Sequence, residues 1–177
     1  MTAARRAIVV TGVCGAGKSA VGAAVADRLG LAFVDADDLH PASNKAKMAR
    51  GLPLDDADRM PWLDAVATAA AGGDAVVACS ALRRRYRDRL LAGVPGAYFV
   101  QLDVSRAELE RRLQERSHEF MPPSLLDSQL DTLEPLAPDE PGVRVPADTG
   151  LADVVTTVVT ALSRVAQYAG SGRSSGE

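Results

Sequence analysis

Aromatic side chains are scarce in this sequence: Phe, Trp and Tyr together make up 4% of it, so aliphatic residues must fill the core. Cysteine is as sparse. Cys14 and Cys79 are the two in the chain, far apart and set among small or apolar neighbours. That excludes a disulfide framework and any cysteine-based metal spacing, and it fits a reducing compartment. Neither sign of charge is in excess: 20 basic against 23 acidic residues give a formal −3. A non-specific nucleic-acid binder would show a basic surplus on one face. No apolar run approaches the roughly 20 residues of a membrane-spanning helix. Residues 1–6 are too short and too polar for a signal peptide ahead of the first apolar run. The expectation is a soluble, cytoplasmic protein with neither nucleic acid nor membrane as partner.

What is present is a chain of 177 residues, 47% hydrophobic, of one-domain length and able to bury a sizeable core. The run AIVVT at Ala7–Thr11 reads as a strand buried on both faces. Similar runs occupy residues 32–34, 75–79 and 97–102, with a weaker one at 143–145. Helical patterns lie between them. One covers residues 19–29. Another has Pro61 early, runs to about Ala71, and carries Trp62, Leu63, Val66 and Ala70 on one side. Asp55, Asp56 and Asp58 crowd its start, where capping oxygens and negative charge are both favourable. Residues 105–108 (SRAE) have capping-box spacing and open a helix bearing Leu109 and Leu113. The last helix repeats Leu151, Val154, Val155, Val158, Val159 and Leu162 at helical spacing. Strands alternating with helices imply an α/β fold, a parallel sheet with right-handed crossovers. One domain is expected over residues 1–169. The tail from Gly170 (GSGRSSGE) lacks an apolar anchor and is expected to be disordered.

The strongest chemical signal is GVCGAGKS at residues 12–19, which matches G-x-x-x-x-G-K-[ST] between the first strand and the first helix. Gly12, Gly15 and Gly17 let the backbone take angles other residues avoid and turn N–H groups toward phosphate oxygens. The following helix adds its positive end. Lys18 is expected to bridge the β- and γ-phosphates of a nucleotide, and the Ser19 hydroxyl to ligate Mg2+. Val13, Cys14, Ala16 and Ala20 complete the segment. Cys14 reads as a small space-filling residue rather than a redox sensor.

After the second strand comes Asp35, Ala36, Asp37, Asp38, Leu39, His40. Carboxylates at a parallel strand's C-terminal end project into the crevice where such folds bind ligands. Asp35 and Asp37 are candidates for holding a Mg2+-bound water and for accepting the proton of an attacking hydroxyl. A polar loop with a capping aspartate is the other reading. His40 is either a substrate contact or a loop hydrogen-bonding residue. Arg59 is either a cation for an anionic acceptor or a helix-facing surface residue. Ser80 and Arg83 follow the third strand. Of Arg83, Arg84, Arg85 and Arg87, only Arg83 lies close enough to the strand end to reach the crevice, and most of the others read as solvated helix positions. Arg112 and Arg116 share a helix face, and the loop 117–123 after them is either a closing lid or a plain exposed helix end. Residues near 147–151 are candidates for contact with the nucleotide base.

Read together, these residues resemble the gluconokinase family of small P-loop kinases, relatives of shikimate kinase. The stretches that carry the resemblance are GVCGAGKSA (12–20), FVDADDLHP (33–41), NKAKMARGLPLDDADRMPWL (44–63), CSALRRRYRDRL (79–90) and FMPPSLLDSQLDTLE (120–134). The resemblance implies a three-layer, nucleoside-monophosphate-kinase-like fold: a five-stranded parallel sheet of order 2-3-1-4-5, with a small lid at about 116–124. It implies a homodimer that uses ATP and Mg2+ to phosphorylate D-gluconate at its 6-hydroxyl, feeding the pentose phosphate pathway. Carried over, Gly15, Gly17, Lys18 and Ser19 hold ATP and Mg2+, and Asp37 orients or deprotonates the hydroxyl. Arg59 and Arg83 meet the acceptor, and Arg116 belongs to the lid. Two positions depart from the family pattern. Ala20 replaces a hydroxyl residue, and around residues 117–120 a glycine-histidine pair is not reproduced, which bears on closure and acceptor selectivity. The rival readings are a kinase for another hydroxy acid such as shikimate, and a nucleotide-binding module without catalysis.

Overall fold

Apolar alternation sets the architecture. The computed structural model describes residues 7–115 and 123–171. Strands β1 (Ala7–Thr11), β2 (Ala32–Asp35), β3 (Ala75–Ala78), β4 (Ala97–Asp103) and β5 (Gly142–Pro146) form one sheet in the order β2-β3-β1-β4-β5. Every pairing is parallel: Val9 lies opposite Val77 and Phe99, and Val10 opposite Ala78 and Val100. Successive side chains point to opposite faces, so Val10, Val76 and Val100 serve one core while Val9, Val77 and Phe99 serve the other. Burying one such side chain contributes about 1.5–3 kcal/mol. A one-residue slip would exchange both sets and is thereby excluded.

Helix α1 (Lys18–Leu29) and α7 (Leu151–Ser171) cover the first face, with Val21, Val25, Val154, Val155 and Val158 buried. Gly22 lets α1 lie close, because a Cβ there would stand 2.8 Å from the Phe33 ring. Helices α3 (Asp56–Ala70) and α4 (Arg84–Gly93) cover the second face through Trp62, Leu63, Val66, Ala67, Tyr86 and Leu90. A reciprocal capping box starts α3: Asp55 accepts from the Asp58 N–H at 2.9 Å and Asp58 from the Asp55 N–H at 3.1 Å. The three remaining helices are α2 (Ala42–Ala49), α5 (Arg106–Glu115) and α6 (Pro123–Thr132).

Three details differ from the sequence reading. Leu151 sits on the apolar stripe of α7 but is 48% exposed, in the first turn of the helix ahead of the buried Val154, Val155 and Val158. Helix α7 continues through Gly170 and Ser171, the first two residues of the expected tail. Arg87, grouped with solvated arginines, is buried at 1% exposure, because it shares a helical stripe with Tyr86 and Leu90. None of the described helices is long and apolar enough to cross a membrane.

Candidate active site

The loop between β1 and α1 opens at the C-terminal edge of the sheet. Gly12, Gly15 and Gly17 take φ of +153°, +80° and +92°, angles that a side chain would strain. The Lys18 ammonium donates back to the Val13 carbonyl at 3.0 Å. Its pKa is lowered, first by burial, against which the carboxylates of Asp37 and Asp35 act. A polyphosphate would supply the anion that this lysine lacks. Outside the loop, Arg112 donates to the carbonyls of Gly15 (3.4 Å), Ala16 (3.3 Å) and Ala147 (2.6 Å). Glu108 steadies it at 2.7 Å. Hydrogen bonds from Arg111 and Arg112 hold the Glu108 carboxyl down to about 2. Arg112, expected to share a helix face with Arg116 ahead of the lid, therefore binds the phosphate loop to the loop after β5. Arg116 and the lid residues 116–122 lie outside the described residues.

The end of β2 delivers the carboxylates. Ser19 donates its hydroxyl to Asp35 Oδ2 at 2.6 Å, and Asp35 Oδ1 caps the Asp37 N–H at 3.0 Å, starting a single 3-10 turn over Ala36–Leu39. A hydroxyl and a carboxylate side by side form a hard-oxygen pair of the kind Mg2+ uses when waters and phosphates complete its shell. Among the described residues no group of three or more His, Cys, Asp or Glu could hold a metal on its own. Asp37 is 75% exposed in that turn at the end of β2. Behind it, His40 is buried and stacked on Trp62, with ring centroids 4.1 Å apart and planes at 13°. The His40 Nδ1 faces the Asn44 amide at 3.3 Å, and Nε2 faces Asp37 at 3.9 Å. Burial lowers the His40 pKa, against the pull of Asp37.

Two arginines stand out from the rest. Arg59 is half-buried, donates Nε to the Leu54 carbonyl at 3.2 Å, and lies 5.5 Å over the Tyr86 ring. Arg83 is half-buried at the end of the β3 turn, and its Nε is buried without a partner. Among the described residues neither forms a salt bridge. By contrast Arg84, Arg85, Arg87, Arg89, Arg106, Arg111, Arg112 and Arg144 are each paired with a carboxylate. Ser80 is half-buried beside them, and its carbonyl accepts from Thr11 Oγ1. Both thiols stay protonated. Burial raises the Cys14 pKa and pushes Cys79 up to about 12, which suits space-filling roles.

Three site residues escaped the sequence reading. Gln129 of α6 accepts the Cys14 N–H at 2.7 Å, pinning the phosphate loop. Arg87 and Glu140 form a buried pair under the β3 turn. Position on the α4 stripe is a signal for Arg87, whereas nothing local marks Gln129.

A family profile described as AAA domain matches residues 8–136. The gluconokinase of Gluconobacter oxydans (strain 621H) is 48% identical over 145 residues, covering 79% of this chain and 82% of that protein. The chain belongs to the gluconokinase family. A crystal structure of a gluconokinase from Sinorhizobium meliloti 1021 superposes with a TM-score of 0.90 at 42% identity, over 96% of this chain and 98% of that one. The Aquifex aeolicus shikimate kinase shares the fold alone, at a TM-score of 0.58 and 16% identity, over 91% and 98% of the two chains. As a member of the gluconokinase family the chain is an ATP-dependent P-loop kinase, with the five-stranded order that the resemblance implied.

Proposed function

We propose that this protein transfers the γ-phosphoryl group of ATP to the 6-hydroxyl of D-gluconate, giving 6-phosphogluconate and ADP. The observation that carries the reading is the pair of half-buried arginines, Arg59 and Arg83, left without carboxylate partners beside a phosphate loop and a free aspartate. A buried guanidinium donor without an acceptor is costly, and the carboxylate of a sugar acid answers that cost.

Each residue then has a defined task. Lys18 leaves the Val13 carbonyl for the β- and γ-phosphates. Ser19 and Asp35 would hold Mg2+, which would neutralise phosphate charge. Asp37 takes the proton of the 6-hydroxyl as that oxygen forms its bond to the γ-phosphorus. The bond from phosphorus to the bridging oxygen breaks, and its electron pair leaves with ADP. Arg83 and Arg59 hold the acid end of the acceptor, with Ser80 and the Nε2 edge of His40 within the same crevice. Arg112 and the loop at residues 147–150 border the nucleotide on its base side. The segment at 116–124 is the lid, with Arg116 as its cation, over one domain. A cytoplasmic homodimer completes the reading.

The test is the product. Incubation with ATP, Mg2+ and D-gluconate should give a phosphorylated acid whose 31P signal couples to a terminal CH2. Phosphate on a secondary hydroxyl, or ATP hydrolysis without a phosphorylated acid, would overturn the assignment.

A further inference from the structure

The turn after β3 is held in a conformation it would not choose alone. Ala81 takes φ of +36° and is the positive-φ residue other than glycine among the described residues. Such a backbone persists only where the surroundings over-determine it. Ser80 and Arg83 flank it, so its shape sets where both side chains stand.

Beneath that turn lies Arg87, as buried as its partner Glu140, each side chain at 1% exposure. The pair is bidentate, with Nε to Oε1 at 2.6 Å and Nη2 to Oε2 at 2.9 Å. The remaining nitrogen, Nη1, donates to the carbonyls of Ala81 (3.2 Å), Leu82 (3.3 Å) and Glu134 (3.1 Å). Glu134 closes the ring from the other side. Its N–H donates to the Leu82 carbonyl at 2.8 Å, and its carboxylate accepts the Arg84 N–H at 2.7 Å. Glu140 Oε2 also accepts the Ala137 N–H at 2.9 Å. A fully buried ion pair contributes little net stability compared with apolar side chains of the same volume. What it supplies here is geometry: two nitrogens of one planar fork grip Glu140 while the third reaches the carbonyls of the turn, an arrangement that the single nitrogen of a lysine cannot match.

We propose that Arg87, fixed by Glu140, is a positioning residue for the acceptor. It holds the strained turn at Ala81 so that Ser80 and Arg83 stand preset for the sugar acid. The inference rests on the reading of Ser80 and Arg83 as acceptor contacts. A loop released by even an ångström loses roughly 10²-fold in rate when it carries a positioning group.

Steady-state kinetics with gluconate and ATP varied separately test this in Arg87→Lys, in the volume-matched double variant Arg87→Met with Glu140→Leu, and in Arg83→Met. The expected result is a gluconate KM raised about tenfold or more, by analogy with other outer-shell positioning groups. The ATP KM should stay within twofold in all three. A merely structural role would instead lower the melting temperature and move both KM values together, which overturns the proposal. If the double variant does not fold, Arg87→Lys, which keeps a cation against Glu140, carries the test alone. If Arg83→Met raises the gluconate KM while both Arg87 variants leave it unchanged, the positioning role fails and the acceptor reading stands. If Arg83→Met leaves it unchanged as well, the acceptor reading fails and this inference with it.

Discussion

Lys18 carries its charge where burial disfavours it, and among the described residues its hydrogen bond goes to a backbone carbonyl of its own loop. Function and stability therefore pull against each other at this residue. Lys18→Met should abolish turnover and yet raise the melting temperature of the ligand-free protein, as thermal unfolding without nucleotide would record. A lower melting temperature would mean that the ammonium is already compensated in the free protein. Asp37 is the opposite case, an exposed carboxylate with no structural bond from its side chain beyond the distant His40 contact. Asp37→Asn should leave nucleotide affinity intact and cut kcat by roughly 10²- to 10⁴-fold. Calorimetric titration of ATP beside turnover measurements checks both halves. Lys18, Ser19 and the two aspartates are legible in the sequence because motif spacing and strand ends fix them locally. Arg59 and Arg83 are not separable from the other arginines there, since what marks them is half-burial without a carboxylate partner among the described residues, which exists only in three dimensions. The Gln129 bond to Cys14 spans 115 positions and leaves no local trace.

At the scale of elements, the 3-10 turn, α2 and the start of α3 form one unit around His40. Asn44 bridges it, facing His40 and donating to the Asp58 carbonyl at 3.0 Å, while Lys47 pairs with Asp58 at 2.6 Å. Trp62 adds its own bond to the Ala36 carbonyl at 2.7 Å. Because this unit buries an imidazole, the folded pKa of His40 lies below the ordinary 6.5. The unfolded chain then binds more protons, so the His40 contribution weakens as pH falls through 6.5 toward the folded value. With His40 and His118 the only histidines, an NMR titration should resolve one ring with a midpoint under 6.5. A midpoint above 6.5 would mean that Asp37 outweighs burial. The strands and the buried helices are legible because apolar runs and 3.6-residue stripes need no tertiary information. Helix α2 is not, since its anchors are polar contacts to Asp58 and His40 rather than an apolar face. Helix α6 enters only through family resemblance.

For the whole molecule, parallel strands deliver the phosphate loop, the aspartates and the turn carrying Ser80 and Arg83 to one edge. β1 brings the phosphate loop, β2 the aspartates, β3 the strained acceptor turn, and the loop after β5 meets Arg112 on the nucleotide side. In the proposed assignment, the order β2-β3-β1 sets the acceptor elements on one flank of the phosphate loop and β4-β5 the base side on the other. Selectivity among hydroxy acids would then reside in the β2-β3 flank, where hydroxyl partners decide which acceptor is held. The most direct measurement is ADP release with ATP and Mg2+ across gluconate, shikimate, other sugar acids, AMP, CMP and no acceptor. Turnover with gluconate should exceed every other acceptor by at least about 10²-fold in kcat/KM, the discrimination that buried polar contacts provide. Equal or faster turnover with shikimate or a nucleotide, or none with gluconate despite ATP binding, would contradict the assignment.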